Sequence, residues 1–222
     1  MEPYENQLIG AFIFELGRRS PKEGIAAINL FQQTPLDTVF GDLVVGATRC
    51  LLFEFKRSAA QLKSERAKRS LSERLAWKRS TLRQEQAHRG HLVVYGHTTG
   101  EQVDMRWCGY LNVINETPAL DRGSVISIIQ FLTDEAFRRP PKSAKEIGLG
   151  PQEMSEYLAW LKTIKSKGGR AASSGGREAW LGVAATDNGV MFISADSLSR
   201  LLEREPQPAH RRVRTPGQDL ER

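Results

Sequence analysis

The residues best placed to do chemistry lie between Gly41 and Lys56, in G-D-L-V-V-G-A-T-R-C-L-L-F-E-F-K. Leu43–Val45 and Cys50–Phe55 are apolar runs on either side of a turn containing Gly46, and they read as paired strands. Side chains alternate along the second strand. Leu51, Phe53 and Phe55 take one face, while Cys50, Leu52, Glu54 and Lys56 take the other. A charge buried without a partner is costly, so an acid and a lysine side by side on so apolar a strand need a reason. Asp42, at the start of the first strand, comes near them if the hairpin closes. Two carboxylates converging there make a hard oxygen site suited to Mg²⁺ or Mn²⁺. Such an ion holds a phosphate and lowers the pKa of a bound water. A neighbouring lysine can orient that water, or neutralise charge as a phosphodiester is attacked. The plainer alternative is an edge strand carrying a solvated Glu–Lys pair.

Asp42, eleven intervening residues, Glu54, one residue, then Lys56: this spacing resembles the PD-(D/E)XK nuclease superfamily, over about residues 1–96. Gly41 stands where the family pattern has Pro, which is not a ligand. The resemblance implies that Asp42 and Glu54 are metal ligands, with the Phe55 carbonyl as a third, and that Lys56 is the catalytic lysine. Several branches of the superfamily also bring a metal-binding acid from the first helix. Here residues 3–17 read as that helix, with Leu8, Ile9, Phe12, Ile13 and Leu16 at helical spacing and Gly17 as its stop. Glu5 falls in the middle of this stripe and Glu15 at its edge, so Glu5 is the candidate. A wet first-turn Glu that favours the helix dipole is the competing reading.

The elements that must position these residues follow in order. S-P-K-E at 20–23 reads as a capping box, with Ser20 as N-cap. Residues 21–32 then read as a second helix, although Ile25–Phe31 is ambiguous with a strand. After Lys56 the pattern becomes one long polar helix over about 58–88, with Leu62, Leu71, Leu75 and Leu82 as a thin apolar stripe. Gly90 ends it, and His91–Tyr95 is a buried type of strand. A helical crossover between Phe55 and Leu92 would make those two strands parallel. Trp107–Ile114 reads as a further strand, and Ser124–Arg138 as an amphipathic helix with Val125, Ile128, Ile129 and Leu132 inward. Pro140-Pro141 closes this block.

Beyond it, Pro151–Lys165 is a helix with Met154, Tyr157, Leu158 and Leu161 on one face. Lys167–Arg177 is a Gly- and Ser-rich linker that lacks the phosphate-loop signature. Ala179–Thr186 and Val190–Ser194 form a hairpin around D-N-G, followed by a short helix at Leu198–Glu203. Residues 206–222 read as a disordered basic tail.

The chain has 222 residues, 40% of them hydrophobic, enough for a real core. Its net charge of +6 is uneven. Residues 57–89 carry ten Lys/Arg against three Glu, a net +7, which leaves −1 for the rest. Basicity concentrated in one element fits a polyanion better than general solubility does. Arg57, Lys63, Arg66, Arg69, Lys78 and Arg79 are the nucleic-acid-binding candidates. Cys50 and Cys108 are the two cysteines, without a C-x-x-C, and read as core thiols in a reducing cytoplasm. His88, His91, His97 and Cys108 lack zinc spacing and read as packing or surface residues. No run approaches the ~20 apolar residues of a membrane span, and M-E-P-Y-E-N-Q lacks the basic start of a signal peptide.

The sequence therefore predicts an α/β fold. The resemblance implies that residues 1–141 form a restriction-endonuclease-like core, with a central mixed sheet flanked by helices. Residues 142–205 form a helical and β-hairpin extension. The expected function is Mg²⁺- or Mn²⁺-dependent hydrolysis of nucleic acid, DNA foremost, by a cytoplasmic enzyme; a homodimer would suit cutting both strands. The alternative is a module on the same fold that binds nucleic acid or a protein without cutting.

Overall fold

The computed structural model describes residues 2–20, 27–30, 42–46, 48–67, 69–115, 123–143, 145–167, 181–186 and 189–194. They form an α/β structure around a mixed sheet. At its centre β2 (Leu43–Gly46) and β3 (Cys50–Lys56) make the expected antiparallel hairpin, pairing Leu43 with Phe53 and Gly46 with Cys50. β4 (His91–Thr99) lies parallel to β3, with Phe53 beside Leu92 and Lys56 beside Tyr95. β5 (Gln102–Gly109) returns antiparallel to β4, and a short β6 (Gly123–Ser124) completes that edge. On the other side β2 pairs with β1 (Ala27–Leu30). β1 in turn pairs, Ile28 to Val183, with β7 (Leu181–Thr186) of the hairpin that β8 (Gly189–Ser194) closes.

The alternation along β3 divides the core into two layers. Leu51, Phe53 and Phe55 join Val45, Leu92, Val94 and Trp107 beneath α1 (Glu5–Arg19) and α6 (Val125–Thr133). Phe12 of α1 sits 5.0 Å from the Phe53 ring and 5.5 Å from Phe55. On the opposite face Cys50, Leu52, Val93, Tyr95 and Cys108 are covered by the crossover and by α7 (Pro151–Lys167). Every residue of β3 is buried, so its charged pair belongs to a central strand and not to a solvated edge.

Several expected elements differ. The long helix over 58–88 is instead a 3-10 turn at Ala59–Gln61, followed by α2 (Leu62–Ala67), α3 (Leu71–Lys78) and α4 (Thr81–Gly90). A straight helix of that length would run roughly 46 Å, too long to keep a thin stripe against one sheet. Ser70 and Ser80 supply the breaks. Ser70 Oγ accepts from the Glu73 amide while Glu73 accepts from the Ser70 amide, a full capping box, and Ser80 Oγ accepts from the Arg83 amide. Each segment then turns its own apolar residues inward: Leu62, Trp77 and Ala87 are buried, while Leu75 and Leu82 are exposed.

Of the second helix expected over 21–32, Ala27–Leu30 is instead a strand, and the remaining positions lie outside the described residues. Ser20 is the C-cap of α1. Its amide and hydroxyl both donate to Leu16 O, at 2.9 and 2.7 Å. Gly17 does not stop α1, which continues to Arg19. The strand expected over Trp107–Ile114 stops at Gly109, and Tyr110–Ile114 is a helical turn, α5. α6 stops at Thr133, because Asp134 caps a separate 3-10 turn at Glu135–Arg138 by accepting from the Ala136 amide.

Residues 145–164 share the main core. Leu149 is fully buried and exchanges both backbone hydrogen bonds with Cys50, at 2.7 and 3.0 Å. α7 buries Met154, Tyr157, Leu158 and Leu161 as expected. Lys167 closes α7; the rest of the linker, the short helix at 198–203 and the tail at 206–222 lie outside the described residues. Among the described residues no helix is long and apolar enough to cross a membrane.

Candidate active site

The hairpin brings Asp42, Glu54 and Lys56 together. Asp42 lies one residue before β2, and its amide donates to Phe53 O at 2.9 Å, continuing the pairing. Its carboxylate turns back across the hairpin, and Oδ2 accepts from the Phe55 amide at 2.5 Å. Lys56 Nζ donates to Glu54 Oε1 at 2.6 Å and to the Phe55 carbonyl at 2.8 Å. All three residues are buried, at 9% exposure or less. Glu5 stands at the rim, half exposed, with Oε1 3.9 Å from Lys56 Nζ.

The electrostatics are unbalanced. Burial, and then the charge of Glu54, push the Asp42 carboxyl up to about 7, against the pull of Lys56 and the Phe55 amide; Glu5 adds to the upward push. Two buried carboxylates, with Glu5 at the exposed rim, thus face one ammonium, an arrangement that a further cation relieves. Among the described residues no group of three or more His, Cys, Asp or Glu is gathered as a metal cluster. The set at hand is two buried carboxylates and the Phe55 carbonyl. An oxygen-only set of this size fits Mg²⁺ or Mn²⁺, which keep several waters and take remaining ligands from phosphate.

Glu15 does not belong to the site. It pairs with Arg18 and Arg19, whose hydrogen bonds hold its carboxyl down at about 2. Glu5 is therefore the acid of α1 that reaches Lys56.

Arg57, a nucleic-acid-binding candidate, also makes contacts within the protein. Its Nε donates to Pro3 O at 3.1 Å, its guanidinium lies 5.0 Å over the Tyr4 ring, and its amide donates to Gln61 Oε1 at 3.2 Å. This clasp fixes the segment leading into α1, and with it Glu5, beside the end of β3. Gly96 makes room for it. A Cβ there would fall well inside van der Waals distance of the Arg57 carbonyl oxygen.

The basic run divides into internal and external residues. Arg89 is buried and binds Glu153 and Gly148 O; Arg83 donates to Gln86 and lies over Trp160. Arg69 is half-buried, with its guanidinium 5.6 Å from the Tyr110 ring centroid. Lys63, Lys78 and Arg79 are exposed. Arg66 lies on α2. Arg74 and Lys78 line a groove of about 490 Å³ with Trp77, Leu111 and Asn115. Of the histidines, His91 is buried, with Nδ1 2.8 Å from the Tyr157 hydroxyl and its ring stacked on Tyr110; His88 and His97 are exposed.

Strand register adds residues that the spacing of motifs does not reveal. Tyr95 of β4 lies beside Lys56, and Arg106 of β5 lies beside Tyr95. The buried type of strand at His91–Tyr95 does not by itself place the first beside Lys56; that needs the register of β4 on β3, and the second needs the register of β5 on β4. Compared with known proteins, the chain finds no match to a family model, and no significant match to a curated protein or a solved structure.

Proposed function

We propose that the protein is a metal-dependent nuclease that hydrolyses phosphodiester bonds of nucleic acid, DNA foremost, with Asp42, Glu54 and Lys56 as its centre. One observation carries the reading. A lysine is held 2.6 Å from one carboxylate on a fully buried central strand, and a second buried carboxylate is bonded to the amide between them. A merely structural ion pair has no need of Asp42, whose burial beside Glu54 raises the electrostatic cost. The D-x(11)-E-x-K resemblance to the PD-(D/E)XK superfamily points the same way.

Asp42, Glu54 and the Phe55 carbonyl would hold Mg²⁺ or Mn²⁺. When bound, such an ion supplies Lewis-acid polarisation of the phosphate and a water of lowered pKa. Lys56, oriented by Glu54 and the Phe55 carbonyl, places an ammonium where negative charge develops on the phosphoryl oxygens. A water gives up a proton to solvent as its oxygen bonds to phosphorus, the bond to the leaving sugar oxygen breaks, and that oxygen gains a proton. Glu5 at the rim supports the net negative charge that favours cation entry. Lys63, Lys78 and Arg79 offer exposed positive charge for backbone contact.

The test is incubation of labelled duplex DNA, single-stranded DNA and RNA with the protein in Mg²⁺ or Mn²⁺, with a chelator control. Chelator-sensitive shortening is expected, greatest with DNA. Intact substrates under all conditions would overturn the proposal.

A further inference from the structure

A row of donors crosses the sheet beside the carboxylates. Parallel pairing of β3 with β4 sets Tyr95 next to Lys56, and antiparallel pairing of β4 with β5 sets Arg106 next to Tyr95. Paired residues on neighbouring strands project to the same face. The packing agrees: Val93, Tyr95 and Cys108 lie in the layer of Leu52, whereas Val94 and Trp107 lie in the opposite layer. Arg106, two residues from Cys108, therefore shares the face of Glu54 and Lys56. The next row inward is Glu54, Val93 and Cys108, all buried.

Exposure rises along the donor row. Lys56 and Tyr95 are 4% and 5% exposed, Arg106 is half-buried, and Ser124, paired with Arg106, is exposed. The row thus runs from the buried centre out to the surface over two strand spacings, roughly 10 Å. An ammonium, a phenol and a guanidinium can all donate to phosphate oxygens. A guanidinium has five N–H groups in a fork, so it can bind a phosphate while keeping a contact within the protein. Asp104 lies further along the same face, paired with His97, and both are exposed.

We infer that Arg106, with Tyr95 between it and Lys56, binds a backbone phosphate of the nucleic-acid strand adjacent to the phosphate attacked at Lys56. The strand being cut would then cross the sheet from β3 toward β5. This inference rests on the nuclease reading for the attacked phosphate, but the phosphate contact itself can be measured without cleavage.

Two measurements on a short labelled oligonucleotide test it, using wild type, Arg106→Gln, Arg106→Lys and Tyr95→Phe. In single-turnover cleavage with Mn²⁺, Arg106→Gln should raise the half-saturating concentration about tenfold or more, with the maximal rate nearly unchanged. In chelator, binding followed by anisotropy across salt should lose about one phosphate's worth of salt slope in Arg106→Gln. Arg106→Lys should keep the slope and recover part of the affinity; Tyr95→Phe should weaken binding more modestly. Matching melting curves establish that each variant is folded, and a misfolded Arg106→Gln leaves Arg106→Lys to decide by its affinity. Cleavage with unchanged half-saturation and slope in Arg106→Gln, or wild-type affinity in Arg106→Lys, would overturn the inference while sparing the nuclease reading. Absence of cleavage in every protein, with the slope change retained, would sink the nuclease reading and leave the phosphate contact standing.

Discussion

The amide of Phe55 donates to Asp42 Oδ2 at 2.5 Å, so the buried carboxylate is bonded to the backbone of the residue between Glu54 and Lys56. One hydrogen bond therefore fixes the hairpin and sets two carboxylates against each other. Its consequence is a pH-dependent stability in the metal-free protein. Burial and Glu54 raise Asp42 from 3.8 to about 7, so between those values the folded chain binds a proton that the unfolded chain has released. The stabilising contribution is fully present below about pH 4 and is lost as the pH rises through 7. Asp42→Asn keeps an acceptor for Phe55 but cannot ionise. The stability of wild type minus that of Asp42→Asn should fall by up to a few kcal/mol from pH 4 to 8, at about 1.4 kcal/mol per pKa unit. Urea denaturation across pH measures it, and a pH-independent difference contradicts the assigned environment.

Divalent ions should reverse that loss. Mn²⁺ binding to Asp42 and Glu54 stabilises the folded state by mass action. Melting temperature should rise with Mn²⁺ in wild type, and calorimetric titration should weaken markedly in Asp42→Asn. Identical titrations of the two proteins would remove the metal assignment.

Gly96 is the close-approach point of the clasp that holds α1 to the end of β3. Gly96→Ala must push the Arg57 carbonyl away, and overpacking of this kind typically costs about 1–3 kcal/mol. Because Arg57 follows Lys56, metal affinity should fall as well. Gly10→Ala is the control: it is exposed on α1 with open space around it, and should be neutral or stabilise by up to about 1 kcal/mol. Equal stability of the two variants by denaturant titration would contradict the clasp.

Charge reversal tests the basic crossover. Lys63, Lys78 and Arg79 are exposed, so changing each to Glu should leave the core intact. DNA affinity should drop and its salt slope flatten, while Mn²⁺ affinity stays the same. Arg69 is left in place because it lies over Tyr110. Sedimentation on the same triple variant separates a partner-binding helix, which would lose an assembly and keep DNA affinity. Unchanged DNA binding would remove these residues from the interface.

The centre of the fold was legible because its signals are local. Alternation from Cys50 to Lys56 assigned the faces, and the crossover from Phe55 to Leu92 required parallel strands. The grouping of Asp42 with Glu54 followed once the hairpin was drawn. Ser70 and Ser80 were less legible, since a serine inside a polar run reads equally as a helix interior until its cap bond is seen. Ala27–Leu30 was misassigned because a four-residue A-I-N-L segment is too short to carry a period of its own, and pairing with β2 decided the matter. Tyr95 and Arg106 were illegible for a different reason: their place beside Lys56 depends on the register of three strands.

Single-turnover cleavage by Lys56→Ala is the most direct measurement of the catalytic centre. The variant should be assayed beside wild type in saturating Mn²⁺ with excess protein over labelled DNA. Loss of the ammonium where charge develops should slow cleavage by roughly a hundredfold or more, while the affinity for DNA in chelator changes little. Cleavage by Lys56→Ala at the wild-type rate would contradict the assignment of Glu54 and Lys56 as a catalytic pair.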